Sequence, residues 1–106
     1  MKNVLFVCSQ NWLRSPSGED LFATWPGIAT ASAGLNHDAP TTVTPELVQW
    51  ADIIFVMEKK HRTKLGERFR AHLRGKRVVC LDIPDKFGFM DPKLVTILME
   101  RVPKFL

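Results

Sequence analysis

Between positions 8 and 15 the chain reads Cys8-Ser9-Gln10-Asn11-Trp12-Leu13-Arg14-Ser15, a thiol and a guanidinium separated by five residues and followed by a hydroxyl. Six successive amides between a strand end and a helix start can curl around one anion, and the helix dipole adds to their pull. Phosphate, sulfate or vanadate fits such a cradle. Arg14 offers a planar fork that can hold two equatorial oxygens of a phosphoryl group, which Lys cannot match. The same amides and the Arg14 charge are expected to bring the Cys8 pKa into the range of about 3.5 to 7.5 found at comparable sites. Cys8 is then the candidate nucleophile, and attack on phosphorus gives a cysteinyl-phosphate that splits a hard hydrolysis into two easier steps. Ser15 is positioned to hydrogen-bond the thiolate and ease its departure. An intracellular cysteine is more often a small buried apolar residue. The arginine and the Ser-Pro helix start after Cys8 set it apart, whereas Cys80, inside an expected strand, reads as core.

A loop of this kind needs a strand before it and a helix after it. Lys2 to Val7 is a continuous apolar run rich in β-branched and aromatic residues, which reads as a strand buried on both faces. Ser15 is the expected N-cap and Pro16 the first residue of a helix to about Trp25, broken by Pro26-Gly27. Ile28 to Ala33 forms a second strand ending at Gly34, and Thr44-Pro45 opens a short helix through Trp50. Asp52 to Met57 is the third strand. From Lys59 to about Leu73, His61, Leu65, Phe69 and Leu73 form one apolar stripe on a basic helix ended by Gly75. Arg77 to Leu81 is the fourth strand, and Asp91-Pro92 opens a last helix with Leu94, Val95, Leu98 and Val102 inward.

Four strands alternating with four helices imply an α/β three-layer sandwich. The sheet is four-stranded and parallel, in the expected order 2-1-3-4, with helices on both faces. Ligands in such sheets sit beyond the carboxyl ends of the strands where the strand order reverses, and the Cys8 loop falls there. Residues 1–106 read as a single domain, with no repeat or linker.

Composition narrows the function class. With 45% hydrophobic and 25% charged residues the chain is an ordinary globular sequence. It has no apolar run of the roughly 20 residues that span a bilayer and no signal-peptide pattern, so a cytoplasmic location without membrane association is expected. Its two cysteines lack zinc-type spacing and are too few for a disulfide framework; no metal and no cofactor is expected. Of the fifteen Lys and Arg residues, nine lie between Lys59 and Arg77 with Glu67 as the only acid. That stretch reads as the solvated face of an exposed helix, and nucleic-acid binding is not expected.

Cys, five residues, Arg and Ser, directly after an N-terminal apolar strand and before Pro16, resembles the signature of the low-molecular-weight protein tyrosine phosphatase family. Val4-Leu5-Phe6-Val7-Cys8, Asn11, Ser32-Ala33-Gly34 and Ala51 through Glu58 are similar to segments of that family, so the likeness covers most of the chain. The resemblance implies a metal-free phosphatase in which Cys8 attacks, Arg14 binds phosphate and Ser15 lowers the thiolate energy. It also implies that Asn11 holds the loop in a strained shape, and that a late Asp, followed by Pro and an aromatic residue, serves as general acid. Here the order is Pro84-Asp85-Lys86-Phe87. Among Asp82, Asp85 and Asp91, Asp85 is the expected acid because Phe87 stands where the family has its aromatic. Asp91 reads as a helix cap.

The expected phosphate and substrate contacts are Ser9, Gln10, Asn11, Trp12, Leu13, Arg14, Ser15 and Phe87, with Trp12 and Phe87 flanking an aromatic substrate. That substrate is a phosphorylated protein or a small aryl phosphate. Two alternatives share the loop. One is arsenate reduction, which calls for further cysteines near the end of strand three, where Met57 and Glu58 stand. The other is a phosphate-binding or phosphoprotein-binding module whose displaced acid has cost it catalysis.

Overall fold

β1, Lys2–Cys8, alternates its side chains between two cores. Val4, Phe6 and Cys8 enter one apolar cluster, while Leu5 and Val7 enter the other. That period of two, with both faces apolar, requires a strand covered on both sides. The computed structural model describes residues 1–106 and supplies that cover. β2 (Ile28–Gly34), β3 (Ile53–Val56) and β4 (Arg77–Cys80) pair with it in the order β2-β1-β3-β4, every pairing parallel. The expected architecture and strand order are observed.

Four helices complete the layers: α1 (Arg14–Phe22), α2 (Pro45–Trp50), α3 (Lys59–Phe69) and α4 (Pro92–Arg101). Phe22 of α1 and Leu94 and Leu98 of α4 pack with Phe6 on one face of the sheet. Val48 of α2 and Leu65 of α3 cover the other. The Phe6 ring lies between Phe22 and Phe55, at centroid distances of 6.0 and 5.4 Å. No helix is long and apolar enough to cross a membrane.

Two helices begin as their sequences dictate. Thr44 Oγ1 accepts from Leu47 N–H ahead of Pro45, and Asp91 Oδ1 accepts from Lys93 N–H ahead of Pro92. α1 departs from expectation at both ends. Its cap position is Leu13, and Ser15 lies inside the first turn with its hydroxyl turned to the loop, so Ser15 is no N-cap. The helix stops at Phe22 because Pro26, four residues on, has no N–H for the Phe22 carbonyl, which accepts instead from Trp25 N–H at 3.1 Å in a tighter turn. α3 ends at Phe69 and passes into one 3₁₀ turn, Arg70–His72, along which the apolar stripe continues as half-buried Phe69 and Leu73.

Gly34, at the end of β2, is required by a close approach: a Cβ there would sit 2.6 Å from the Ser9 carbonyl oxygen and 2.7 Å from Ala39 Cβ. Gly66, inside α3, faces open space. Gly34→Ala is therefore expected to cost about 1–3 kcal/mol of stability through overpacking. Gly66→Ala should gain about 0.5–1 kcal/mol through helix propensity. Urea denaturation of the two variants checks both signs.

Candidate active site

Cys8 is the last residue of β1 and is 3% exposed. From it the chain passes through Ser9–Leu13 into α1. Two backbone bonds fix how the loop leaves the sheet: the Cys8 carbonyl accepts from Leu35 N–H and the Ser9 carbonyl from Asn36 N–H, both at 2.9 Å. In a trans peptide the C=O and the following N–H point in opposite directions. The Ser9 and Gln10 amides are therefore turned away from the β2 segment. Asn11 takes a positive φ of 60°, a conformation that Asn tolerates better than most residues. This lets Asn11 N–H donate to Cys8 Sγ at 3.2 Å.

Ser15 connects the two. Its Oγ lies 2.9 Å from Cys8 Sγ and donates to Asn11 Oδ1, also at 2.9 Å. A hydroxyl has one hydrogen. With Cys8 as a thiol, S–H donates to Ser15 while Ser15 donates to Asn11. With Cys8 as a thiolate, the Ser15 hydrogen must turn to sulfur.

Arg14, the first residue of α1, is 3% exposed, and its charge is met from two other strands' ends. Nη1 donates to Glu58 Oε2 at 2.5 Å and to the Ile83 carbonyl at 2.7 Å. Nε lies 3.7 Å from Asp85 Oδ1. With Nη1 fully used, the Nε and Nη2 hydrogens remain as a parallel pair, the edge that holds two oxygens of one anion. Cys8, Ser9, Gln10, Trp12, Leu13, Arg14 and Asp85 line one cavity of about 220 Å³. A larger groove, about 660 Å³, runs along α3 between Arg62 and Arg74 and contains neither a nucleophile nor the loop.

Glu58 is the N-cap of α3. Partial burial pushes its carboxyl up, but the Arg14 hydrogen bond and charge outweigh that and hold it below the ordinary value of 4.5. His61, 1% exposed, sits between this carboxylate and the loop. Burial, and after it the Arg14 charge, lower its pKa from 6.5 to about 4, with Lys60 adding to the fall and Glu58 and Asp85 opposing it. The ring is thus neutral near pH 7. Its Nδ1 accepts from Glu58 N–H at 3.0 Å, so Nε2 carries the hydrogen and donates to Ser9 Oγ at 3.0 Å.

Most of the residues singled out from the sequence converge here. Asp85 is the only one of the three late aspartates that borders the cavity. Asp91 caps α4, and Asp82 accepts from the Cys80 thiol at 3.4 Å. Phe87 corrects an expectation: it is 7% exposed and packs into the core cluster with Leu94 and Leu98, so it does not flank the cavity. Trp12, 63% exposed, forms the aromatic rim alone. Gln10 Oε1 is buried without a hydrogen-bond partner. Sequence reasoning gave no catalytic part to Glu58 or His61, whose only local signal is a polar cap with a ring three residues on. No cluster of His, Cys, Asp or Glu side chains is arranged to hold a metal ion.

No protein-family model matches the chain, and no curated protein sequence matches it. Solved structures do. The YwlE arginine phosphatase from Geobacillus stearothermophilus superposes with a TM-score of 0.80 at 22% identity, over 99% of this chain and 93% of that one. The low-molecular-weight protein tyrosine phosphatase SP-PTP from Streptococcus pyogenes gives 0.78 at 15% identity, over 100% and 94%. The tyrosine phosphatase Wzb from Escherichia coli, solved with phosphate, gives 0.75 at 23% identity, over 93% and 91%. The chain has the fold of the low-molecular-weight protein tyrosine phosphatases.

A histidine that resists protonation when folded contributes stability in full above its ordinary value of 6.5 and loses it as pH falls from there toward 4. Glu58, lowered from 4.5, adds its own loss only as pH falls through that value. Urea midpoints should fall between pH 6.5 and 4.5, and His61→Leu should flatten that slope even though it lowers stability at pH 7.

Proposed function

We propose that the chain is a phosphomonoester hydrolase acting on phosphotyrosine or a similar aryl phosphate, with Cys8 as nucleophile, Arg14 as phosphate clamp and Asp85 as general acid. One observation carries the reading: a thiol, a guanidinium and a carboxylate line the same small cavity. The names of the superposing structures, tyrosine and arginine phosphatases, support phosphoryl transfer as its chemistry.

In the first step Cys8 Sγ attacks phosphorus as the thiolate. The phosphorus–sulfur bond forms, the bond to the leaving oxygen breaks, and Asp85 gives its proton to that oxygen. The Ser9 and Gln10 amides and the Nε and Nη2 edge of Arg14 hold the nonbridging oxygens throughout. The Asp85 carboxyl group lies 3.7 Å from Arg14 Nε, beside the edge that would hold the phosphate. In the second step Asp85 takes a proton from water, the water oxygen attacks phosphorus, and sulfur leaves as a thiolate that receives hydrogen bonds from Ser15 Oγ and Asn11 N–H. Inorganic phosphate and free Cys8 result. No cofactor enters these steps. The exposed Trp12 rim favours an aromatic leaving group.

Arsenate reduction finds less support. It needs a second thiol to resolve the adduct, and Cys80 packs against the opposite core face from Cys8.

Purified protein should hydrolyse para-nitrophenyl phosphate between mildly acidic and neutral pH in the presence of EDTA. Turnover no higher than that of Cys8→Ser would contradict the proposal. Asp85→Asn should slow the wild-type rate by about 100-fold or more. Its penalty should be greater on phenyl phosphate, whose leaving group needs the proton more, while Asp91→Asn stays near wild type.

A further inference from the structure

One short turn holds the loop at both of its ends. Glu58 and His61, the cap and the third residue of α3, lock each other: the Glu58 side chain accepts from the His61 backbone, and the Glu58 N–H donates to His61 Nδ1. From this turn Glu58 reaches Arg14 near the end of the loop, while His61 reaches Ser9 at its start. Ser9 is already pinned through its carbonyl by Asn36 N–H on the β2 side. The His61 bond to its hydroxyl pins it from the α3 side.

We infer that His61 is a positioning residue for anion binding: by donating from Nε2 to Ser9 Oγ it keeps the Ser9 and Gln10 amides aimed at a bound phosphate. It touches neither substrate nor the reacting atoms. A purely structural buried histidine would have both nitrogens satisfied as well, but removing it would lower stability and leave phosphate affinity alone. The difference lies in where the second bond goes, to a residue that lines the cavity 52 positions away in sequence. A loop residue free to rotate would lose part of its inward amide geometry, and affinity would fall for the ground state and the transition state together. The inference rests on the proposed hydrolase for its reaction, but its anion can be measured without turnover.

The test is calorimetric titration of the whole chain with inorganic phosphate, with para-nitrophenyl phosphate kinetics alongside. The loss of one hydrogen bond predicts that His61→Leu and Ser9→Ala each weaken phosphate binding about fivefold. KM should rise by the same factor, with kcat within about twofold. Because both variants remove the same bond, the double variant should be no weaker than His61→Leu. His61→Gln, whose side-chain amide can donate to Ser9, should recover most of the affinity. Ser9→Ala leaves α3 intact and decides the matter if His61→Leu does not fold. Unchanged phosphate affinity in Ser9→Ala, losses that add in the double variant, or no recovery with Gln would each overturn the inference. A wild-type protein that binds phosphate but turns over no aryl phosphate would refute the hydrolase and leave these affinities to judge His61.

Discussion

A guanidinium that is 3% exposed must be compensated where it stands, because an unpaired buried charge is far costlier than any single packing defect. Arg14, which follows β1 and its loop, meets that requirement with residues from two other parts of the chain. Glu58 follows β3 and Ile83 follows β4. The parallel sheet brings these three strand ends to one edge, and the order β2-β1-β3-β4 adds the end of β2, whose Leu35 and Asn36 amides hold the loop's first carbonyls. The fold's arrangement and the anion site thus answer to one constraint. That compensation takes Nη1, while Nε faces the more distant Asp85 carboxylate at 3.7 Å.

Around that clamp, protons are limited in number and shared. Ser15 has one hydrogen to divide between Asn11 Oδ1 and Cys8 Sγ, so the state of the thiol decides the loop's internal bonding. His61 stays neutral beside Arg14 and can therefore serve as acceptor to α3 and donor to Ser9 at the same time. Asp85 is exposed to solvent, yet its carboxylate lies 3.7 Å from Arg14 Nε. Each behaviour follows from which atoms are buried and what faces them.

Much of this was legible in the sequence because its signals are local. The alternating faces of Val4 to Cys8, the Thr44-Pro45 and Asp91-Pro92 starts, and the strand-helix alternation each report on neighbouring residues, and together they give the sheet order. The Cys8 to Ser15 spacing is local too. What could not be read depended on packing across the molecule. Ser15 looked like a helix cap, but tertiary partners, Cys8 and Asn11, claimed its hydroxyl. Phe87 looked like a substrate contact, but the core beside α4 had room for an aromatic ring and took it. Glu58 and His61 lie 44 and 52 residues from their loop partners, and nothing in a single sequence links positions so far apart.

The central claim is that sulfur of Cys8 carries the phosphoryl group between the two steps. Slowing the acid and base with Asp85→Asn, mixing with para-nitrophenyl phosphate, quenching in acid within the first turnovers and sequencing the peptides by mass spectrometry tests it directly. The account predicts one added phosphoryl group, on the peptide containing Cys8 and at that residue. Hydrolysis that proceeds with no phosphorylated Cys8 at any time point, or with the group on another side chain, would contradict it.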